Sequence, residues 1–138
     1  MDRILVIDDD ELVRQVLVEM ISDGGYDVTA AENGRKGVAQ FCKAPAALVV
    51  TDIIMPQQDG IETILELRRM VPRLPIIAIS GGGQRLAMEF LDAAQKLGAD
   101  IILPKPVREA GLLEGISYLL SKSYLLSKSY VPAGAVRI

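Results

Sequence analysis

The feature of this chain that most constrains its fold is a fivefold alternation of short apolar runs and amphipathic segments. The runs occupy residues 4–7, 28–30, 48–50, 76–79 and 101–103. Because they are continuously apolar, they are typical of strands that are buried on both faces of a parallel sheet. The alternation therefore predicts an α/β fold of five (βα) units, a doubly wound, five-stranded parallel sheet with helices on both faces.

Residues that begin and end helices stand at the edges of the segments between these runs. Asp10 and Asn33 are predicted N-caps, and Asp59 followed by Glu62 has the spacing of a capping box. Gly98 stands where a helix is expected to end. The first predicted helix carries its apolar residues at helical spacing, and they are Leu12, Val13, Val16, Leu17, Met20 and Ile21.

Length and composition limit the chemistry that the chain can perform. Its 138 residues fit one domain, and its single cysteine, Cys42, excludes an internal disulfide and a cysteine-rich zinc site. Histidine is absent, which excludes an imidazole base, a Ser-His triad and a histidine-ligated metal in this chain. Any reaction must therefore use carboxylates, hydroxyls, lysine or arginine.

The charge and the N-terminal residues bear on partners and location. A net charge of −3 argues against a stand-alone nucleic-acid binder, which needs a basic surface. The sequence Met1-Asp2-Arg3 lacks the layout of a signal peptide. No apolar stretch approaches the roughly 20 residues that cross a bilayer. We therefore expect a cytoplasmic protein with neither nucleic acid nor a membrane as a direct partner.

Polar side chains follow four of the five predicted strands. Three aspartates occupy 8–10 after the first run, and Asp52, Ser80 and Lys105 follow the third, fourth and fifth runs. Taken singly, each has a purely structural interpretation, as a helix cap, a turn residue or a surface lysine. Taken together they predict one site, because ligands bind at the carboxyl ends of the strands in parallel sheets.

The predicted site is rich in carboxylates, which raise one another's pKa values unless a cation neutralises them. Because the chain lacks histidine, the ligands are oxygen atoms, and these select a hard cation such as Mg²⁺. Asp8, Asp9 and Asp52 would be balanced in charge by Mg²⁺ and Lys105. An aspartate in such a site can attack phosphorus and become an aspartyl phosphate, stabilised by the metal and the lysine.

Four motifs, in this order, resemble the receiver domain of two-component response regulators. They are Ile4-Leu5-Val6-Ile7-Asp8-Asp9, then Asp52-Ile53-Ile54-Met55-Pro56 with Asp59-Gly60, then Ser80, and finally Lys105-Pro106. The resemblance covers roughly residues 1–120. The combination is highly specific, although each motif alone is weak. It implies the flavodoxin-like strand order 2-1-3-4-5.

The resemblance implies a phosphoacceptor and a metal site. Asp52 is expected to accept a phosphoryl group from a sensor histidine kinase or a histidine phosphotransfer protein, which would supply the histidine that this chain lacks. Mg²⁺ is expected to be bound by Asp9, Asp52 and the backbone carbonyl of Ile54, with Asp8 acting through a water molecule.

Three further roles and an output surface follow from the same resemblance. Lys105 is expected to contact the phosphoryl group, Ser80 to act as the switch hydroxyl, and Pro106 to support the turn, where it fits the first turn of the fifth helix. Output is expected through the fourth helix, fifth strand and fifth helix, about residues 86–122, to a downstream protein or a second copy of the chain. The chain would catalyse only its own phosphoryl transfer and is not expected to be an enzyme.

The sequence departs from the family pattern at three positions. Ile102 stands where the family often has an aromatic switch residue, so coupling between Ser80 and an aromatic ring is not expected. Ile54 and Gly82 stand two residues after Asp52 and Ser80, and neither side chain can orient a hydrolytic water. The expected consequence is slow self-dephosphorylation.

The C-terminal residues repeat. Residues 117–122 read SYLLSK and recur at once as 123–128. A shift of six residues rotates a helix by about 600°, so one helix cannot bury both leucine pairs on one face. We expect a receiver domain over 1–122, whose fifth helix the first copy completes, and an irregular tail without an output domain over 123–138. The second copy would be either an exposed extension that pairs with another chain or a duplication of no function.

Two other functions stay open at this point. Asp8-Asp9-Asp10 contains the Asp-x-Asp spacing of haloacid dehalogenase phosphohydrolases, which form an aspartyl phosphate. Leu12, however, stands where that family usually has threonine or valine, and little chain is left for a substrate cap. The other alternative, a degenerate receiver that only binds a partner, is disfavoured by the intact set of acids, serine and lysine.

Overall fold

The structure is a computed structural model that describes residues 2–53, 60–80 and 98–121, together with Asp92 and Lys96. In chain order the elements are β1 (Arg3–Ile7), α1 (Glu11–Asp23), β2 (Asp27–Ala31), α2 (Gly34–Lys43), β3 (Leu48–Asp52), α3 (Gly60–Met70), β4 (Ile76–Ser80), β5 (Ile101–Pro104) and α4 (Glu109–Leu119). Helix α4 is the fifth helix of the sequence prediction. Most of the predicted fourth helix lies outside the described residues, although Asp92 and Lys96 are helical.

The strands form one parallel sheet in the order β2-β1-β3-β4-β5. This confirms the predicted fold class and the predicted strand order. The register pairs Ile7 with Thr51, Asp52 with Ile79, and Ser80 with Pro104. The carboxyl ends of β1, β3, β4 and β5 therefore lie side by side along one edge of the sheet.

The central strands β1, β3 and β4 are buried on both faces of the sheet, which explains why their runs are continuously apolar. One face packs against α2 and α3, and the buried residues there include Leu5, Ile7 and Leu67. The other face packs against α1 and α4 through residues that include Val6 and Ile116. Because successive side chains of a strand point to opposite faces, a strand that is covered on both faces is apolar at successive positions until it nears the carboxyl edge of the sheet.

Two predicted helix caps are confirmed. The side chain of Asp10 accepts hydrogen bonds from the backbone N–H groups of Leu12 and Val13 at the start of α1. The side chain of Asn33 accepts from the backbone N–H of Lys36 at the start of α2. Each cap satisfies donors that a helix leaves free at its first turn, so both helices begin where the sequence predicts.

The prediction that Pro106 lies in the first turn of the fifth helix was wrong. Helix α4 begins only at Glu109, because its N-cap residue Arg108 has an extended backbone with φ −93° and ψ 136°. Pro106 therefore lies in the loop between β5 and α4 rather than in the first turn of a helix, and its peptide bond with Lys105 is cis.

The C-terminal end of α4 bears on the repeated tail. The helix ends at Leu119, within the first SYLLSK copy, and Leu120 is its C-cap. The second copy, the tail over 123–138 and the capping-box residue Asp59 lie outside the described residues. Within the described ranges, no helix has both the length and the apolar character that are needed to span a membrane.

Gly60 lets the start of α3 approach the end of β3. Its backbone N–H donates to the carbonyl oxygen of Ile53 across 2.7 Å. A Cβ atom on Gly60 would collide with the carbonyl oxygen of Asp52 and would lie 2.5 Å from the Cα of Ile53. These neighbours are backbone atoms, which cannot rotate away as a side chain can.

Replacement of Gly60 by alanine is expected to lower the free energy of unfolding by about 1–3 kcal/mol, the usual cost of overpacking. The matched control is Gly111→Ala in α4, where an added Cβ meets open space. That change should raise stability by about 0.5–1 kcal/mol, because glycine is unfavourable inside a helix. Urea unfolding of both variants measures the difference, and equal effects of the same sign would contradict the close approach.

Candidate functional site

Three aspartates meet at the carboxyl edge of the sheet. Asp8 directly follows β1, Asp9 comes next in the chain, and Asp52 is the last residue of β3. One carboxylate oxygen from each lies within 4.8 Å of the other two. Asp8 and Asp52 are buried, whereas Asp9 is exposed to solvent. The three acids that the sequence predicts at one site are therefore brought together.

Lys105 lies between the two buried carboxylates. Its Nζ is 3.2 Å from Asp8 Oδ2 and 3.3 Å from Asp52 Oδ2. The backbone N–H of Lys105 donates to the carbonyl oxygen of Ser80 across 2.7 Å, which joins the residue after β5 to the end of β4. One ammonium group thus partly neutralises two carboxylates that come from different strands.

The turn from β1 into α1 is held by a short series of hydrogen bonds around Asp8. The backbone N–H of Asp10 donates to Asp8 Oδ1 across 2.9 Å. Arg14 Nη1 donates to the backbone carbonyl of Asp8 across 2.8 Å. The backbone N–H of Asp8 donates to the carbonyl oxygen of Ala31 at the end of β2. The acidic turn is therefore tied to both α1 and β2.

Burial and charge act in opposite directions in this cluster. Burial raises the pKa of Asp8, and the hydrogen bond from Asp10 and the pairing with Lys105 do not offset it. Burial also acts to lower the pKa of Lys105, but the charges of Asp52 and Asp8 outweigh it, so that pKa is raised. Lys105 therefore stays charged, whereas ionised Asp8 lacks part of the positive charge that it needs.

Ser80 contributes a hydroxyl to the same edge of the sheet. It is the last residue of β4, and β4 pairs with β3, whose last residue is Asp52. Ser80 is only 4% exposed. Among the described residues, Ser80 Oγ has no hydrogen-bond partner. A buried hydroxyl without a partner costs about 1–3 kcal/mol, so an oxygen-rich ligand at this edge would gain from binding to it.

The donor set fits a hard divalent cation. All candidate ligand atoms are carboxylate oxygens, and three carboxylates carry more negative charge than Lys105 alone can balance. Mg²⁺ prefers one or two carboxylates together with water, and exposed Asp9 leaves one side open to water. Asp8, Asp9 and Asp52 thus form a group that could hold Mg²⁺. Ile54, whose carbonyl is the other predicted ligand, lies outside the described residues.

Comparison with known proteins identifies the family. A family model described as the response regulator receiver domain matches residues 4–117. The chain belongs to this family. Receiver domains are components of two-component signalling systems, and they generally act as signalling switches rather than as enzymes.

Individual relatives agree with this assignment. The chain is 32% identical over 116 residues to the chemotaxis protein CheY of Thermotoga maritima. The matched region covers 83% of this chain and 94% of that protein. It is 36% identical over 121 residues to the response regulator MprA of Mycolicibacterium vanbaalenii, covering 88% of this chain but 51% of that protein. The chain thus spans about half the length of MprA.

A solved structure shares the fold. The response regulator receiver domain protein from Clostridium thermocellum superposes with a TM-score of 0.83 at 27% identity, over 91% of this chain and 99% of that one. Because the superposition covers 91% of this chain, the receiver fold accounts for most of it.

An apolar groove adjoins the acidic cluster of this receiver domain. It has a volume of about 430 Å³ and lies where α1 meets the loop after β5. Its lining residues are Leu12, Val13, Val16, Leu17, Lys105, Pro106 and Val107. Leu12 is 73% exposed and Val16 is 47% exposed, so this part of α1 lacks the cover that its apolar residues usually receive. Lys105 belongs both to the groove and to the acidic cluster.

Two features of the receiver site were not predicted from the sequence. One is the contact of Arg14 with the Asp8 carbonyl, for which the only signal is a cation among the apolar residues of α1. The other is the exposure of Leu12 and Val16, which the helical spacing counts together with buried Leu17. Both depend on what lies opposite the helix, and spacing within the helix does not contain that information.

The raised pKa of Asp8 predicts a pH-dependent stability for the metal-free receiver domain. Because the folded state holds the Asp8 proton more tightly, stability should fall as pH rises from the ordinary value of 3.8 through the raised value. Asp8→Asn removes this charge, so the variant should be more stable than the wild type at neutral pH in EDTA. Below the ordinary pKa the advantage should disappear.

Urea unfolding from acid to neutral pH measures this difference. The matched control is Asp27→Asn, which removes an exposed carboxylate that pairs with Arg3 at the opposite edge of the sheet. A variant Asp8→Asn that is less stable than the wild type at neutral pH would contradict the prediction.

Proposed function

We propose that this receiver domain is a phosphorylation-dependent signalling switch in which Asp52 accepts the phosphoryl group. The observation that carries the proposal is the position of Lys105 Nζ, 3.3 Å from Asp52 Oδ2, at an edge that also holds Asp8 and Asp9. Positive charge beside a buried carboxylate favours the anionic form that attacks phosphorus. The donor is a phosphohistidine of a sensor histidine kinase or of a histidine phosphotransfer protein.

Transfer is a displacement at phosphorus. A carboxylate oxygen of Asp52 forms the new bond to phosphorus while the bond from phosphorus to the donor imidazole breaks, and the imidazole nitrogen keeps that electron pair. Lys105 is placed to contact a phosphoryl oxygen and to balance its charge. Mg²⁺, held by Asp9, Asp52 and the Ile54 carbonyl with Asp8 acting through water, would supply further positive charge to the phosphoryl oxygens.

Phosphorylation changes what Ser80 can bind. The modified Asp52 carries a charge of roughly −2 and three acceptor oxygens. Ser80 Oγ, buried on the neighbouring strand and without a partner among the described residues, is the hydroxyl that we propose to donate to one of them. The carbonyl oxygen of Ser80 accepts a hydrogen bond from the backbone N–H of Lys105, so a shift of Ser80 would also move the loop after β5.

Output follows from the elements that adjoin this loop. We propose that β5, α4 and the predicted fourth helix present the surface that a downstream protein or a second copy of the chain recognises. Ile102, half-buried against the core, replaces the aromatic residue of the family pattern. The path from Ser80 to the surface would then depend on movement of the loop rather than on rotation of a ring.

The proposed unit spans residues 1–122 and is followed by the tail over 123–138. The end of α4 at Leu119 supports a boundary near that point. Slow self-dephosphorylation stays a prediction from the sequence, because Ile54 and Gly82 lie outside the described residues. A cytoplasmic location likewise stays a prediction from the sequence.

The apolar groove gives the donor protein a place to dock. A phosphohistidine can reach Asp52 only if its protein lies against the edge that holds Lys105, and the groove shares that lysine. Its exposed apolar side chains, Leu12 and Val16, suit an amphipathic helix that lays its apolar face into a groove. We therefore propose that the segment carrying the donor histidine packs across α1 and the loop after β5.

Leu12→Asp is expected to slow transfer from a protein donor without changing labelling by acetyl phosphate. A charge in the groove opposes apolar contact, and burying one leucine is worth about 1.5–3 kcal/mol, or roughly 10- to 150-fold in rate. Transfer from the fastest member of a panel of purified histidine kinases measures the effect. Leu65→Asp, an exposed apolar position on α3 outside the groove, is the control. Equal slowing by both variants would contradict docking there.

Incubation with acetyl phosphate and Mg²⁺ tests the central proposal. Intact mass should show an adduct of one phosphate in the wild type and in the control Asp27→Asn. The adduct should be lost in Asp52→Asn and after addition of EDTA, because each removes an element of the proposed site. A wild type that gains no phosphate under these conditions would overturn the proposal and support a receiver that only binds a partner.

The same experiment, carried out with phosphate esters, distinguishes the switch from a phosphohydrolase. A phosphohydrolase of haloacid dehalogenase type would turn over phosphate esters continuously rather than stop at one phosphate for each chain. Steady release of inorganic phosphate from such esters would therefore favour the hydrolase.

A further inference from the structure

The backbone carbonyl of Asp8 has an unusual partner. Arg14, one turn into α1, folds its side chain back by six residues and donates Nη1 to this carbonyl across 2.8 Å in a partly buried contact. A hydrogen bond from a guanidinium is among the stronger ones that a carbonyl can accept. The contact therefore fixes the direction in which the Asp8 carbonyl points.

That direction also determines the path of the backbone from Asp8 to Asp9. The peptide group between Asp8 and Asp9 is planar, so holding the Asp8 oxygen holds the N–H and the Cα of Asp9 as well. Asp9 is exposed, and packing therefore does little to hold its carboxylate. The backbone turn has to place Asp9 beside the carboxylates of Asp8 and Asp52.

The other ties to this turn act on different atoms. The N–H of Asp10 is bound by the Asp8 side chain, and the N–H of Asp8 is bound by Ala31. Glu32, after β2, attracts Arg14 as well, but its pKa is lowered chiefly by the hydrogen bond and charge of Lys36, with which it forms an ion pair. Within the part of the chain that the structure describes, the hydrogen bond that holds the Asp8 carbonyl is thus the one from Arg14.

We propose that Arg14 is a positioning residue for the cation site, which it orders through the Asp8 carbonyl without touching the cation. The inference rests on the proposed function, because it concerns the Mg²⁺ that phosphoryl transfer would use. Partners of this kind usually change metal affinity by about 10–100-fold when they are removed.

The sign of the effect distinguishes positioning from simple electrostatics. Arg14 is a cation near an acidic site, so a charge effect alone would make Mg²⁺ bind more tightly once Arg14 is removed. Loss of positioning would make Mg²⁺ bind more weakly. The two explanations therefore predict opposite changes for the same variant.

The test measures Mg²⁺ affinity of the full chain by titration calorimetry for Arg14→Met, Arg14→Lys and the control Arg3→Met. Arg3 lies at the far end of β1 and pairs with Asp27 at the surface. Arg14→Met should bind Mg²⁺ at least about tenfold more weakly. Arg14→Lys, which keeps a charged donor, should recover most of the loss, and Arg3→Met should match the wild type.

A second readout separates positioning from a general loss of structure. In Arg14→Met, the Mg²⁺ concentration for half-maximal labelling by acetyl phosphate should rise, while the rate at saturating Mg²⁺ should stay near that of the wild type. Thermal melting in EDTA shows whether each variant is folded, and Arg14→Ala, which also removes the donor to the Asp8 carbonyl, serves the test if Arg14→Met is not folded.

The outcomes are distinct. Unchanged or tighter Mg²⁺ binding by folded Arg14→Met would overturn this inference and leave the proposed function intact. Equal weakening in Arg14→Met and Arg14→Lys would also overturn it, since a charged donor would then not suffice to hold the carbonyl. A wild type whose Mg²⁺ binding does not depend on Asp52 would instead contradict the proposed function itself.

Discussion

The pairing of Lys105 with two buried carboxylates is the interaction on which the site depends. Asp8 directly follows β1 and Asp52 ends β3, and an ammonium that lies 3.2–3.3 Å from each offsets the repulsion between their buried charges. The lysine reaches them because its backbone is tied to Ser80 at the end of β4. The raised pKa of Asp8 indicates that Lys105 does not fully balance the negative charge of the carboxylates. A bound cation would supply the missing positive charge.

The parallel sheet makes this pairing possible, and close packing keeps it in place. Parallel strands bring their carboxyl ends to one edge, so residues far apart in sequence meet without any local motif that joins them. The approach of Gly60 to the backbone of Asp52 shows how little space remains behind the end of β3. Any larger residue there would have to move the strand that carries Asp52, which links the stability of the fold to the geometry of the site.

Much of the fold could be predicted because its signals are local. Continuous apolar runs reflect burial on both faces, and Asp10 and Asn33 cap helices through their own neighbours. The convergence of the acids and Lys105 followed from the parallel sheet. Pro106 was misplaced because the extended backbone of Arg108 delays α4. The contact of Arg14 with the Asp8 carbonyl could not be predicted, because it joins a flexible side chain to a backbone atom and leaves no spacing pattern.

Lys105 also connects docking with chemistry. It lines the apolar groove and at the same time pairs with Asp52, so a protein that covers the groove removes water from the lysine. Electrostatic attraction strengthens as the local dielectric falls, and Lys105 would then act more strongly on the carboxylate and on an arriving phosphoryl group. A small phosphoryl donor such as acetyl phosphate does not cover the groove, so water stays around Lys105 and its electrostatic attraction is not strengthened. Under the proposed function, selection of a protein donor and stabilisation of transfer therefore use the same side chain.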